Sequence, residues 1–561
     1  MPTFTLDGKE IEFKPGQTII EAAKQSGINI PHFCWHPKLS VSGNCRMCLV
    51  EVEKMPKLVI ACSTFASEGM VVHTESEKAV SARNAVMEFI LINHPLDCPI
   101  CDEAGDCKLQ DYAYNYSVGE SRFTEEKNHK QKHVELGPNV IFDGERCITC
   151  SRCIRFCDEI AKQPQLTFVQ RGDRVTITTY PGQKMDNPYS MNTIDICPVG
   201  ALTSKDFRFK ARVWDMSATK SICTGCSRGC NIDLWVRNNE ILRLTPRENE
   251  QVNSYWMCDH GRLNTFKFVN ADDRVDGPNL RREGQLVKVD WDEAYAETAS
   301  RLKSFAKDEI AFIGSPLATN EDNYILAKFA HTVIGSNHID FMRHENPQFG
   351  DDILKKNDVT PNSFGAELSG VAPQKAGRNL KEIINGISEG KIKSLYLLED
   401  DIVSANPELE NILAKLDLLI VHATNYNKTT ALADVVFPAA TYAEKNGTFV
   451  NFDGMIQRIR PAVATLNADR ALDGLEMSRL DKFGTKYDRW AQGAKRDAKS
   501  SWKILTALAG VLGSKFKYNM AEEVFEEMSN SIDAFKGLDY DDVGATGVKL
   551  KSKNIEQNVN A

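Results

Sequence analysis

Sixteen cysteines lie between positions 34 and 258 of this 561-residue chain, and none follows Cys258. They are grouped rather than scattered. Cys34, Cys45, Cys48 and Cys62 come first, then Cys98, Cys101 and Cys107 with His94 just upstream. Cys147, Cys150, Cys153 and Cys157 follow, with Cys197 beyond them, and Cys223, Cys226, Cys230 and Cys258 close the set. Disulfides would need a short, secreted, loop-rich chain. This chain is long, and Met1-Pro2-Thr3-Phe4 opens no charged-then-apolar signal segment. Zinc is the second candidate, because C-x2-C pairs suit a tetrahedral ion. Iron–sulfur clusters fit the spacing better. The C-x2-C-x2-C run of Cys147, Cys150 and Cys153 can wrap three corners of a cubane, and Cys197-Pro198 offers a remote fourth ligand.

Cys98, Cys101 and Cys107 are three thiols without a fourth. The remaining corner still needs a ligand, and His94 stands where Pro95 stops a helix. Imidazole is neutral where thiolate is anionic, so this substitution lowers the negative charge on the cluster and raises its potential. Cys157 would serve a second cubane only if cysteines stood four, seven and ten residues before Cys197. Thr193, Ser190 and Asn187 occupy those positions, so Cys157 reads as a buried free thiol. Arg152 and Arg155 have two readings, either offsetting cluster charge or making surface salt bridges.

The elements that must position these ligands are legible in outline. Residues 3–6 and 11–13 read as strands joined by Asp7-Gly8. Thr18 and Glu21 form a capping box for a helix ending at Gly27. Gly43-Asn44 lets backbone pass close to a cluster, and loop N–H groups can donate to its sulfurs. Leu49–Val52 alternates as a further strand, and Val59-Ile60-Ala61 leads to Cys62. Thr74 and Glu77 predict a second capping box, opening a helix to about Asn93 with Val80, Val86, Met87 and Ile90 on its apolar side. Residues 105–118 read as helical, and Thr124–His133 as a solvated connector. Beyond position 273 the pattern turns α/β, with strands at Ile310–Ile313, Ser394–Leu398 and Leu418–Val421 and a helix from about Asn320. Residues 474–561 read as a charged tail, with helices at Ser501–Leu512 and Ala521–Met528 and disorder from Lys549.

The C-x10-C-x2-C-x13-C spacing of the first group departs from plant-type ferredoxins. It resembles the [2Fe–2S] domain of the large iron–sulfur subunit of respiratory complex I and of iron-only hydrogenases. The H-x3-C-x2-C-x5-C pattern resembles the [4Fe–4S] site of the same families, held by one histidine and three cysteines. The missing second triplet moves the resemblance toward complex I. The C-x2-C-x3-C-x27-C run at Cys223–Cys258, continued by Trp256–Arg262, resembles the small [4Fe–4S] domain at the start of molybdopterin oxidoreductases. Glu444–Asn451 resembles a pterin-family segment near a phosphate-binding turn.

The chain is thus similar to the large iron–sulfur subunit of bacterial NADH:quinone oxidoreductase, complex I, in a shortened form. That resemblance implies a multidomain α+β and α/β protein. A β-grasp [2Fe–2S] ferredoxin domain spans 1–78, a one-histidine, three-cysteine domain 79–118, and a ferredoxin-like [4Fe–4S] domain 140–215. A molybdopterin-oxidoreductase-type [4Fe–4S] domain spans 216–272, a degenerate molybdopterin-oxidoreductase-like α/β domain 273–470, and C-terminal helices and tail 471–561. One [2Fe–2S] and three [4Fe–4S] clusters are expected. No molybdopterin is expected, because the α/β part is small and no cysteine after Cys258 could ligate its metal. Electrons would leave NADH at a flavin on a neighbouring subunit. They would pass the [2Fe–2S] centre, the histidine-ligated centre and the next [4Fe–4S] centre, toward the quinone-proximal iron–sulfur subunits. The fourth centre is expected to stabilise rather than conduct.

The chain would then be an oxidoreductase subunit of a proton-translocating complex with no complete catalytic site of its own. It would lie peripherally on the cytoplasmic side of the inner membrane, with membrane contact only through the complex. The alternative is the electron-transfer subunit of a soluble NAD-linked hydrogenase or formate dehydrogenase. A self-contained molybdenum or tungsten enzyme is the third reading. Bulk properties agree with the first. A net charge of −9 opposes nucleic-acid binding, no run of eighteen apolar residues exists, and no dinucleotide Gly-rich fingerprint follows a strand.

Overall fold

A computed structural model of the chain describes residues 1–117, 119–373, 377–467, 475–477 and 494–551. It divides into two units, Met1–Trp214 and Asp215–Ala561.

The first unit opens with β1 (Thr3–Leu6) and β2 (Lys9–Glu12), antiparallel about Asp7 and Gly8. Both turn residues take positive φ, 47° and 80°, which matches the twist of the strands they join. In α1 (Ile19–Gln25) the expected capping box forms, with Thr18 N donating to Glu21 at 2.8 Å. Its apolar residues Ile19, Ile20, Ala22 and Ala23 pack on Phe4, Leu6 and Val72. With β3 (Leu49–Val52), β4 (Val59–Ile60) and β5 (Val71–His73) the sheet order is β2-β1-β5-β3-β4, and β1 and β5 run parallel. This is the expected β-grasp.

Helix α2 (Glu77–Leu91) starts from Ser76 rather than Thr74. The Ser76 side chain accepts from Ala79 N at 3.3 Å. Thr74 is turned to Asp7, to which its N–H donates at 2.7 Å and its hydroxyl at 2.6 Å, and the cap position falls to Ser76. The buried side of α2 is Ala79, Arg83 and Met87, while Val80, Val86 and Ile90 are half-buried. Arg83 donates to Glu75 at 3.0 Å and to Leu49 O at 3.2 Å, and lies over the ring of Tyr116 in α3 (Lys108–Tyr116). A fully buried arginine thus ties α2 to the sheet and to α3.

The rest of the unit is built from short pieces: β6 (Val134–Glu135), β7 (Val140–Phe142), α4 (Arg152–Arg155), β8 (Leu166–Val169), β9 (Thr176–Thr179), α5 (Asn192–Asp195) and β10 (Leu202–Ser204). The strand order β10-β7-β6 and the β8–β9 hairpin bracket the Cys147–Cys197 ligands.

The second unit begins with an antiparallel sheet, β11 (Ser217–Ile222), β12 (Asn231–Arg237) and β13 (Glu240–Pro246), followed by α6 (Asp259–Asn264). A seven-stranded sheet follows. Strands Ile310–Gly314, Ile339–Phe341, Ser394–Leu398, Leu418–Ala423 and Val435–Pro438 are parallel, and the hairpin Asn279–Arg282/Gln285–Lys288 joins antiparallel at one edge. Alternate residues enter two cores. Phe312, Tyr396, Leu398, Ile420 and Phe437 enter one. Ala311, Ile313, Leu395, Leu397 and Val421 enter the other. Burial on both faces is what continuous apolar strands demand.

Ser501–Val511 and Ala521–Ser531 are helices whose Trp502, Leu505, Val524 and Phe525 lie in the first of these cores, so this stretch is not a solvated tail. Disorder from Lys549 is overturned at its start. Lys549 pairs with Met455 and Leu550 N donates to Gly454 O at 2.9 Å. Positions 552–561 lie outside the described residues.

Candidate metal centres

In the first unit the loop between α1 and β3 carries Cys34, Cys45 and Cys48, and Cys62 follows β4. Cys34 N donates to Cys45 Sγ at 3.4 Å. Hydrogen bonding between Cys34 and Cys45, Cys34 and Cys62, and Cys48 and Cys62 pushes Cys34 and Cys48 down and Cys45 and Cys62 up. All four thiols therefore share one pocket. Backbone N–H groups of Asn44 and Cys45 also point at the Cys34 sulfur, as the Gly43-Asn44 turn leads one to expect.

His94, Cys98, Cys101 and Cys107 line one cavity of about 780 Å³. Cys98 opens a single 3-10 turn and is exposed, while Cys101 and Cys107 are buried and Cys107 caps α3. Burial, with Arg146 next, holds His94 down at about 4, so its ring is neutral and offers a lone pair at physiological pH. Burial pushes Cys107 up to about 12. Arg146 lines the same cavity and donates to Asp97 at 3.0 Å. Gly200 lines it too, and a Cβ there would overlap Cys101 Sγ.

Cys147, Cys150, Cys153 and Cys197 line a second, small cavity whose other walls include Phe142, Ile177, Val199 and Leu202. Thr149 and Ser151 hold positive φ, 53° and 63°, and this tight winding turns successive thiols inward. Thr149 N donates to Cys147 Sγ at 3.4 Å. Burial pushes all four thiols up, Cys147 to about 12. Buried thiols that resist ionisation are a donor set that a cationic metal core satisfies. Cys157 is fully buried and does not line this cavity. Where a second triplet would stand, Asn187 donates to Gln165 at 2.8 Å and Thr193 to Ser190 O at 2.7 Å, a self-satisfied polar turn.

In the second unit Cys223, Cys226, Cys230 and Cys258 are all buried, and each lies within electrostatic reach of others in the set. Cys223 N donates to Cys230 O at 2.8 Å, and Cys258 caps α6 by accepting from Gly261 N at 3.3 Å. A Cβ on Gly261 would meet Cys223 Sγ at 2.7 Å. Glycines 200 and 261 are site residues that cysteine counting misses. Their signal was the Cys-Pro-Val-Gly and Cys-Asp-His-Gly sequences, in which glycine follows a ligand by three. Among the described residues no three His, Cys, Asp or Glu side chains converge on the position of a single ion.

Sequence order is not contact order. The Cys147–Cys197 segment meets the first site, where Asn44 Nδ2 donates to Thr149 O at 3.1 Å. It also meets the His94 site, where Cys107 Sγ lies 3.9 Å from Pro198 O and Gly200 abuts Cys101. The His94 site reaches the first loop at Tyr112 of α3, whose hydroxyl accepts from His32 N at 3.3 Å. The expected order puts the histidine site second; here all three ligand segments touch one another, and the Cys147–Cys197 segment meets the other two at or beside a ligand.

The second unit also holds a cavity of about 780 Å³ beside Thr224 and Gly225. Asp273, Glu399, Asp400 and Asp401 line it with Lys267 and His260. Even with Glu399 paired to Lys445 and Asp400 to His344, Asp273 and Asp401 leave these walls without a surplus of positive charge for a phosphate-bearing pterin. At the start of the Glu444–Asn451 segment both charged side chains are engaged. Glu444 is bound by Arg274 at 2.7 Å, and Lys445 Nζ donates to Asp322 and Glu399, each at 2.7 Å.

Known families match along the chain. A 2Fe-2S iron-sulfur cluster binding domain matches 1–77, and the NADH-ubiquinone oxidoreductase-G iron-sulfur binding region matches 83–122. The ferredoxin-like domain of NADH-quinone oxidoreductase subunit 3 matches 137–203. The molybdopterin oxidoreductase Fe4S4 domain matches 216–270, and molybdopterin oxidoreductase matches 274–376 and 362–471. Among curated proteins, the G-type subunit of NADH-quinone oxidoreductase from Rickettsia bellii is 43% identical over 335 residues, 59% of this chain and 48% of that protein. The Rickettsia typhi protein of the same name is 40% identical over 419 residues, 71% of this chain and 61% of its own. The Streptomyces coelicolor one is 40% identical over 342 residues, 60% of this chain and 40% of its own. The matches span about half the length of the first of these relatives. A solved chain described as NAD+-reducing [NiFe]-hydrogenase in the H2-reduced state matches at 32% identity over 38% of this chain and 91% of its own, with a TM-score of 0.35 that carries no argument.

Proposed function

Since this chain resembles the G-type subunit of NADH-quinone oxidoreductase in sequence and in its run of iron–sulfur domains, we propose that it is an electron-transfer subunit of a complex that oxidises NADH and reduces quinone. Its ligands are Cys34, Cys45, Cys48 and Cys62 for one [2Fe–2S] cluster. His94 with Cys98, Cys101 and Cys107, Cys147, Cys150 and Cys153 with Cys197, and Cys223, Cys226 and Cys230 with Cys258 hold three [4Fe–4S] clusters. Each cluster, when bound, accepts and passes one electron. The chain's own residues hold the ligands apart, exclude water and place charge.

The observation that carries this reading is the placement of the Cys147–Cys197 segment against both other sites of the first unit. An electron received at the Cys34–Cys62 centre would move to the Cys147–Cys197 centre and then to the His94 centre. Cys98 is exposed there, and Leu96 and Ile100 stand out beside it, which supports exit to a partner iron–sulfur protein at that side. The flavin-bearing donor and the quinone-proximal acceptor belong to partner subunits. No helix among the described residues is long and apolar enough to cross a membrane, so membrane contact in this reading comes through the complex. The acidic walls of the second unit's cavity support a function without molybdopterin.

The test is anaerobic reduction by NADH of the native complex purified through this chain. Paramagnetic signals of one [2Fe–2S] and several [4Fe–4S] centres, with about 14 irons per chain, are expected. A colourless, zinc-bearing chain that copurifies with no flavoprotein would overturn the reading. For the fourth centre we expect Cys226→Ser to lower the yield of assembled complex while leaving turnover per assembled complex near normal. Normal assembly with lost turnover would make that centre a conductor.

A further inference from the structure

Two arginines of α4 lie between the first and the middle ligand sites. Arg152 is 4% exposed. Its Nη2 donates to Trp35 O at 2.5 Å, next to Cys34, and its Nη1 to Ile196 O at 2.9 Å, next to Cys197. Arg155 Nη2 donates to Cys34 O at 2.6 Å and to Cys150 O at 3.4 Å, its Nε to Ser151 Oγ at 3.1 Å, and its Nη1 to Ser40 O. Both guanidinium groups therefore clasp backbone from two ligand loops at once. The salt-bridge alternative does not hold, because among the described residues no carboxylate pairs with either group.

A buried cation without a counter-charge is costly, and Arg152 Nε is buried with no partner of its own. Thiols of both sites, Cys150, Cys197 and Cys34, lie within its electrostatic reach beside the cation Arg155, and they become anionic when they ligate a metal core. A cluster bound by four thiolates is anionic and gains one more negative charge on reduction. We propose that Arg152 is a counter-ion shared by the Cys34–Cys62 and Cys147–Cys197 centres, and that Arg155 locks their two loops together. One fixed positive charge then stabilises the reduced form of both centres and raises both potentials. These are positioning residues. They touch the ligand loops, and they act on the clusters through charge and spacing.

This rests on the electron-transfer reading, and its test separates the two. Redox titration of the native complex, followed by electron paramagnetic resonance, gives the midpoint of each centre. Arg152→Gln should lower the midpoints of the first and middle centres together and leave the Cys223–Cys258 centre unmoved. Arg152→Lys, which keeps the charge, should restore most of both shifts. Arg155→Gln, a half-buried position, should lower the same two midpoints by a smaller step, and it decides the matter if Arg152→Gln fails to assemble. Intact signals with unmoved midpoints, or a shift at one centre alone, would overturn the proposal. Absence of any iron–sulfur signal from the unaltered complex would instead sink the electron-transfer reading.

Discussion

Gly200 has no side chain, and the space thus left is where Cys101 Sγ lies. Gly200→Ala should therefore cost the His94 centre its signal in the assembled complex while the Cys223–Cys258 centre keeps its own. Retention of every signal would show that the loop can give way. His94 itself is held neutral by burial and by Arg146. His94→Cys would put an anionic ligand in its place, and redox titration should find the potential of that centre lowered. An unchanged or higher value would remove the electrostatic account of this ligand. At this scale the sequence was informative about which atoms bind and silent about what makes room for them. A glycine's role depends on a neighbour that can stand a hundred positions away.

Helix α4 is launched by Ser151, held in the left-handed region at φ 63°. Ser151→Gly relieves the backbone but removes the Oγ that accepts from Arg155 Nε at 3.1 Å, so by urea unfolding it should cost less than a β-branched residue. Ser151→Val should cost about 1–2 kcal/mol, because a β-branched side chain resists that conformation. Elements whose signals are local were legible from sequence. The Asp7-Gly8 hairpin, the Thr18/Glu21 box and the buried parallel strands all stand where periodicity and turn chemistry put them. Elements fixed by distant partners were not. Thr74 reads as a cap, but it faces Asp7 across 67 positions and Ser76 caps the helix instead. The apolar stripe of α2 lost its place to Arg83, which a pattern of hydrophobic residues cannot nominate. The contacts between the ligand segments were hidden for the same reason, since Pro198 meets Cys107 across 91 positions.

Across the whole chain, the two units differ in what burial does to charge. Both bury thiols, and the second also buries the carboxylates Glu321, Asp322, Glu399 and Asp400. Burial pushes Glu321 up to about 7 despite hydrogen bonds from Thr448 N at 2.8 Å and the Tyr540 hydroxyl at 3.0 Å. The folded state therefore holds a proton that the unfolded chain loses near its ordinary value of 4.5. Stability from this group is full below that value and is lost as pH rises through about 7. Urea midpoints should show Glu321→Gln gaining on the unaltered chain across this window, and a pH-independent difference would mean that Glu321 does not titrate there. The clasp made by Arg152 has a consequence for how the molecule is made. Trp35 leaves the ribosome 117 residues before the arginine that fastens its carbonyl. At roughly 5–20 residues per second, the first loop waits on the order of 6–25 seconds for this partner. The amino-terminal domain, though synthesised first, is therefore fastened by a later segment of the chain.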